Sequence, residues 1–195
     1  QPKAGDTVLV SGAAGAVVDS AVGEVGQPVR FARREVDSAL LLAAALPDLA
    51  DAIRPRPVPA VWGETMLEYR PYGVVLGWHA ANSPVWVPTL VVLSALVAGN
   101  AVISRPSRRA AITTGAVLDA LAGSWPTDAI VRCDLPGPEA EPLVWHPGVQ
   151  AVVTHGSSET CKRQLTALGA AYGEGAVLRP YVPEGSGNDA MLVLA

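Results

Sequence analysis

The sequence predicts an α/β protein, a three-layer Rossmann-like parallel sheet with helices on both faces. Three observations carry that prediction. From residue 73 onward, short β-branched runs alternate with longer Ala/Leu-rich stretches of helical spacing, the sequence form of βαβ units. The short runs are apolar throughout rather than alternating, as strands covered on both faces should be. Half of the 195 residues are hydrophobic and only 16% are charged, enough to fill a sizeable core.

In chain order, "TVLV" (7–10) runs into "SGAAGAVVDS" and reads as a strand entering a tight glycine turn, so residues 1–20 form an N-terminal strand and turn. Residues 32–52 have helical spacing. The Pro-rich "IRPRPVPAVWGE" (53–64) reads as an extended connector, and "MLEYRPYGVVLG" (66–77) as a hairpin or two consecutive strands. The span 21–72 is then one unit of long helix, connector and hairpin. Residues 73–195 form a nucleotide-binding α/β domain. Its expected strands are 73–78, 100–104, 128–133, 149–154, 175–180 and 191–195, and its expected helices are 84–98, 109–122 and 157–171.

Bulk properties exclude several function classes. A net charge of −4 argues against nucleic-acid binding, which needs basic surface to displace counterions. The apolar run "VWVPTLVVLSALVAG" (85–99) is too short for a typical membrane span and reads as a buried helix. Cys133 and Cys161 lie far apart without CxxC spacing, so neither a disulfide framework nor a metal site is implied, and a reducing, cytoplasmic setting is the default. The chain begins with Gln and closes on an apolar run, "MLVLA", so it reads as a fragment or a processed product.

Two places suit a phosphate. The first is the Gly-Ala-Ala-Gly turn within 5–20. It lacks the third small position of a dinucleotide fingerprint, because Val18 stands there, and a plain tight turn is the stronger reading. The second is "VVTHGSSETCKRQL" (152–165). There a strand meets Gly156, and Ser157, Ser158 and Glu159 open a helix. Free backbone N–H groups at such a helix start bind anions. A capping box without any ligand fits the same residues.

Four motifs in order change the odds: "RPYGVVLGWHAANSPVW" (70–86), "LVAGNAVISRPSRRA" (96–110), "HPGVQAVVTHGSSET" (146–160) and "PEGSGNDAMLVLA" (183–195). The series resembles the aldehyde dehydrogenase superfamily over roughly residues 20–195, and "EVGQPVRFARREV" (24–36) looks like that family's early helix. The resemblance implies a cofactor, NADP or NAD, and a small aldehyde or acyl-thioester substrate. It gives Asn82 the role of oxyanion donor, where a neutral amide faces charge developing on a carbonyl oxygen. By itself an Asn-Ser-Pro is also an ordinary turn before a helix. Ala81 stands where many members have tryptophan. Arg105 stands where the family usually has a ribose-contacting lysine, Ser107 follows, and Arg108 replaces a common acidic residue. Arginines pair bidentately with phosphate, so Arg105 or Arg108 at a 2′-phosphate implies a preference for NADP. Gly156, Ser157 and Glu159 match the family's phosphate turn, with His155 in place of threonine. Glu184 matches the glutamate that activates water to release the acyl group, in a relaxed setting, Glu-Gly-Ser-Gly-Asn.

The family's chemistry also needs a cysteine thiolate. Neither Cys133 nor Cys161 matches it, and both read as structural, Cys161 in the first turn of a helix. Three readings follow from the resemblance. The residues are the cofactor-binding half of an NAD(P)-dependent aldehyde dehydrogenase, completed by a missing catalytic domain or paired as a homo-oligomer. Or they belong to a branch that reduces acyl-CoA or carrier-bound acyl groups, where hydrolysis is unwanted. Or they are a non-catalytic nucleotide-binding or scaffold module.

Overall fold

The computed structural model describes residues 7–126 and 128–187, with side chains described from residue 14 onward. Two helices come first, α1 (Thr7–Val25) and α2 (Val29–Ala52), and then a two-stranded antiparallel hairpin, β1 (Arg56–Ala60) and β2 (Gly63–Leu67). The remainder alternates: β3 (Val74–Trp78), α3 (Trp86–Val97), β4 (Ala101–Arg105), α4 (Ala111–Ala122), β5 (Ile130–Arg132), α5 (Gly137–Ala140) with a 3-10 turn (Glu141–Trp145), β6 (Ala151–His155), α6 (Ser158–Gly173) and β7 (Tyr181–Glu184). Strands β3 to β7 form one parallel sheet in the order β5-β4-β3-β6-β7. The chain therefore builds outward from β3 in one direction, then returns to β3's other side at β6. That reversal is the defining feature of a doubly wound Rossmann-like sheet.

The pleat sorts each strand's residues between two cores. Val75, Val102 and Ala151 pack with Val92, Ala95, Leu96 and Leu118 of α3 and α4. Leu76, Trp78 and Val152 pack on the other face with Ala140 and Val144. A third cluster joins Val17, Val18 and Ala21 of α1 to Ala32 and Val36 of α2, and to Val85 and Val117 beneath them. Helices α1 and α2 are thus an outer layer over α3 and α4.

Three expectations are corrected. Residues 7–10 are helical, not a strand, and the Gly-Ala-Ala-Gly segment lies inside α1 rather than in a phosphate turn. Burial of Val17, Val18 and Ala21 against α2 and α4 outweighs the local β-branched preference, and a Cβ on Gly15 would touch nothing, so that glycine serves no close approach. The Pro-rich connector is a strand, β1, with Pro57 and Pro59 two residues apart and so on the same side of the ladder, where a missing donor costs nothing. Accordingly the hairpin spans 56–67, and 74–78 is the sheet's central strand. Residues 175–180 are not a strand. Gly175 turns the chain at φ +94°, and the Arg179 guanidinium donates to the carbonyls of His146 and Val149. The ladder starts at Tyr181, after Pro180, whose carbonyl accepts from Val152 N–H at 3.0 Å. The expected strand 191–195 lies outside the described residues. Among the described residues no helix is long and apolar enough to cross a membrane.

Candidate active site

A doubly wound sheet offers its ligands a crevice at the carboxyl ends of the strands flanking the reversal, here β3 and β6. Trp78, His79 and the loop to Asn82 close one side. His155, Gly156 and Ser157 close the other, and Arg105 ends β4 next door.

His79 is the most constrained of these residues. Its N–H donates to the Arg105 carbonyl at 3.0 Å, extending the β3–β4 ladder by one step. The ring lies over Gly77, where a Cβ would come within 2.8 Å of Cε1 and 2.9 Å of Nε2. Nε2 shares a 2.8 Å hydrogen bond with the buried Ser104 hydroxyl. With 1% of its surface exposed, His79 is held neutral. Burial, reinforced by the charges of His155 and Arg105, pushes its pKa down to about 3. Its Nδ1 is buried without a hydrogen-bond partner.

Arg105 is also buried, at 7% exposure. Its guanidinium lies 4.2 Å from the Trp78 ring centroid, a cation–π stack. Gly137 packs beside it, and a Cβ there would stand 3.6 Å from Arg105 Nη2. Burial lowers the pKa of this arginine, and the nearby Arg108 charge lowers it further. Its Nε has no partner. Arg108, by contrast, is exposed in a 3-10 turn (Arg108–Ala110), and Ser107 caps that turn by accepting from Arg109 N–H at 3.3 Å.

Across the reversal, Ser157 is the N-cap of α6, its hydroxyl accepting from Thr160 N–H at 3.2 Å. Ser157 thus supplies one half of a capping box; the reciprocal half does not occur among the described residues, because the third helical position is Thr160 and Glu159 is exposed in the first turn. Ser158 N–H donates to the Ser186 hydroxyl at 3.3 Å. Glu184 is the last residue of β7 rather than part of a turn. Its carbonyl accepts from Gly156 N–H at 3.1 Å, and its carboxylate meets His155 Nε2 at 2.7 Å. His155 is itself nearly buried, with its Nδ1 unpartnered.

Asn82 is exposed, with Ala81 half-buried beside it. It borders a cleft of about 510 Å³ between α2 and the start of α3, together with Phe31, Arg34, Glu35 and Trp86. The structure thus brings Arg105, His79 and His155 together at the sheet's carboxyl end, with Glu184 attached through His155, and opens Asn82 onto the α2 cleft. Cys133 packs among the Trp78 cluster, and Cys161 is buried with its carbonyl taking the Tyr181 hydroxyl at 3.0 Å, so neither thiol borders that cleft. Among the described residues no cluster of three metal-ligating side chains occurs.

His79, Glu35 and the Trp78 stack were not singled out from the sequence. Period-2 spacing along "VLGWH" puts Val75, Gly77 and His79 on one face, the face of α3, and that would have flagged the histidine. Nothing local marks Glu35, because its partners Val85 and Trp86 lie some fifty residues on.

The arrangement is that of a Rossmann-like α/β fold with polar groups gathered at the reversal. Comparison with known proteins goes one step further. The model of the aldehyde dehydrogenase family matches residues 10–195, and the chain belongs to that family. An N-succinylglutamate 5-semialdehyde dehydrogenase of Novosphingobium aromaticivorans is 31% identical over 138 residues, 69% of this chain and 29% of that protein. Its counterpart in Sphingopyxis alaskensis is 26% identical over 148 residues, 74% of this chain and 31% of that protein. The chain therefore spans about a third of the length of the curated relatives it matches. Among solved structures, an NAD-dependent benzaldehyde dehydrogenase from Corynebacterium glutamicum superposes with a TM-score of 0.81 at 20% identity, covering 94% of this chain and 39% of that one. An NADP-dependent glyceraldehyde-3-phosphate dehydrogenase from Bacillus halodurans, complexed with NADP, gives 0.77 at 23% identity, covering 97% and 41%. These structural likenesses establish the shared fold.

Proposed function

We propose that these residues are the cofactor-binding part of an enzyme that oxidises an aldehyde to an acid with NADP or NAD. The observation that carries the reading is the set of unpartnered polar atoms, His79 Nδ1, Arg105 Nε and His155 Nδ1, buried at the carboxyl ends of β3, β4 and β6. Buried polar atoms are ordinarily satisfied, and three of the five unpartnered ones among the described residues gather at this reversal, Gln27 Oε1 and Gln164 Nε2 lying elsewhere, so the cluster fits a polar ligand. Polar groups at the ends of those strands, beside the N-terminus of α6, suit a pyrophosphate and its riboses. When bound there, the nicotinamide supplies the hydride acceptor.

The chain's own residues divide the remaining work. Gly156, Ser157 and the start of α6 hold the pyrophosphate, with Glu159 at its rim. Arg105 lines the floor beneath the adenosine ribose. Arg108, the exposed arginine, pairs a 2′-phosphate, which favours NADP, while Ser107 fixes the turn that carries it. Asn82 donates to the substrate carbonyl as charge develops on its oxygen. Glu184 activates water, and the nucleophilic thiolate comes from outside these residues, since neither Cys133 nor Cys161 borders the Asn82 cleft. A second reading draws on the His155–Glu184 pair: a glutamate engaged by an imidazole suits reduction of an acyl-thioester, in which water is not activated. The curated relatives are named for a semialdehyde that carries carboxylates, which is the substrate chemistry closest to hand.

Fluorescence titration with NADPH and NADH tests the cofactor assignment. NADPH should bind the tighter of the two, and Arg108→Glu should remove that preference. Equal affinity in the wild-type chain sinks the 2′-phosphate assignment, and no binding of either sinks the nucleotide reading. In an enzyme completed by its thiolate, assays run with aldehyde and with acyl-CoA decide between oxidation and reduction.

A further inference from the structure

The cleft beside Asn82 has a chemical character of its own. About 510 Å³ falls within the roughly 300–1,000 Å³ of small-molecule sites. Phe31 and Trp86 give it apolar walls. Two charged side chains line it, Arg34 and Glu35, and they are not equivalent. Both Glu35 oxygens are engaged within the protein. Oε2 accepts from the backbone N–H of Val85 and of Trp86, each at 3.0 Å, and Oε1 accepts from Gln27 Nε2 at 2.5 Å. That carboxylate therefore neutralises the start of α3 and closes its side of the cleft. Arg34 forms no ion pair or side-chain hydrogen bond among the described residues, and its fork of donors stays uncommitted. Arg30, outside the lining, lies 5.0 Å from the Phe31 ring centroid.

We infer that the cleft receives an aldehyde bearing an anionic group at its far end. The carbonyl is placed at Asn82, the chain runs between Phe31 and Trp86, and the anion is held by Arg34. The inference rests on Asn82 as the carbonyl-binding group. A planar guanidinium matches a carboxylate or a phosphate, so the shared requirement is a terminal oxyanion. Arg34 is exposed, so a neutral aldehyde would leave its guanidinium to solvent and gain only the aromatic walls. Arg34 is then a specificity-determining residue, supplied by the outer helix layer rather than by the sheet.

The test uses stable carbonyl compounds on the isotopically labelled chain, followed by NMR. 4-Oxopentanoate carries a carboxylate, dihydroxyacetone phosphate carries a phosphate, and 2-pentanone carries neither. At least one anionic ketone should shift the Trp86 indole N–H and Arg34 Nε–H signals, and 2-pentanone should bind about tenfold more weakly, equivalent to about 1.4 kcal/mol. Which anionic ketone binds tighter identifies the tail. Arg34→Gln should weaken the anionic ligand by about tenfold, with Arg34→Lys between, while Arg33→Gln, one residue away and outside the cleft lining, should change it less than about threefold. Equal losses in the Arg33 and Arg34 variants would reduce the effect to general positive charge and overturn the inference. So would 2-pentanone binding as tightly as the acids, or no shift with any ligand. NADPH titration of the same samples separates the two readings. Cofactor binding without keto-acid binding removes this inference and leaves the proposed function. Keto-acid binding without cofactor binding does the reverse.

Discussion

The outer helix layer and the carboxyl end of the sheet treat buried polar groups in opposite ways. Where α1 and α2 dock, carboxylates reach across to cap other helices. Glu24 accepts from Ile112 and Thr113 N–H at 2.9 and 2.8 Å at the start of α4, and Glu35 does the same for α3. Burial opposes ionisation of Glu24, yet the backbone donors outweigh it and hold its carboxyl below the usual range. At the sheet's carboxyl end, His79, Arg105 and His155 keep buried nitrogen atoms without partners. The first region spends its carboxylates on assembling the fold and leaves one buried atom without a partner among the described residues, Gln27 Oε1. The second carries unsatisfied groups at a cost in stability, and such a cost is expected where a ligand completes the set.

Acid should expose this difference most strongly. His79 titrates near 6.5 when unfolded and about 3 when folded. Its neutral form therefore contributes stability that is complete above pH 6.5. As pH falls from 6.5 towards 3, the unfolded state takes up a proton that the folded state refuses, and stability drops by up to about 1.4 kcal/mol per pH unit. Urea unfolding at pH 7 and pH 4.5 should show a steep loss that His79→Leu largely removes. An unchanged slope in that variant would place the acid sensitivity elsewhere. Next in size, Gly77→Ala should cost about 1–3 kcal/mol by overpacking, because its Cβ meets the His79 ring and stands 3.1 Å from Val91 Cγ1. In a His79→Ala background the same change should cost much less. Additive costs would show that the ring is not what the glycine accommodates.

Breaking the other region tests the docking of the outer layer. Glu35→Ala strands two backbone donors at the start of α3, which costs about 1–3 kcal/mol where they stay buried. Denaturant midpoints measure that cost, and amide exchange at Val85 and Trp86 should speed up before exchange in β3 does. Glu24→Gln should lose part of the wild-type stability above the ordinary glutamate pKa. Because the folded pKa of Glu24 is depressed, its contribution is present at neutral pH and fades as pH falls through that folded value, so the two proteins should converge in acid.

The same contrast explains what the sequence made legible. Strands β3, β4 and β6 were readable because strands buried on both faces are continuous apolar runs, as in "GVVLGW" and "VQAVVT", and β5 was readable although only Ile130 of its residues is buried. The site's backbone frame followed, since Gly156 and Ser157 announce a strand-to-helix turn by residue type alone. Helix α1 was not readable. Its first residues favour a strand locally, and only contacts with Ala32, Val36 and Val117 make it a helix. Hairpin strand β1 was hidden by prolines that an edge position tolerates. Arg105 was legible as a cation of the site but not as a buried one. Its burial depends on Trp78 in the neighbouring strand and on Gly137 beyond β5, and neither spacing is local.

Arg105 sharpens the comparison with the smallest stability effect. Two terms oppose each other at this residue. The stack on Trp78 is worth about 0.5–2 kcal/mol. Against it stands the desolvation of a guanidinium that has no carboxylate partner among the described residues, and replacing buried charge by an apolar side chain of similar volume is often neutral or stabilising, by about 1–4 kcal/mol at most. Arg105→Met keeps much of the packing volume and removes the charge, so its unfolding free energy should stay within about 1 kcal/mol of wild type. If the arginine belongs to the ligand-completed region, NADPH affinity should nevertheless fall at least about tenfold in the same variant. A fold cap behaves the other way, losing stability first and ligand affinity only as a consequence, which is the pattern expected of Glu35→Ala. If Arg105→Met loses stability as Glu35→Ala does and binds NADPH unchanged, Arg105 moves to the structural side of the comparison, and the unpartnered Nε no longer marks a ligand.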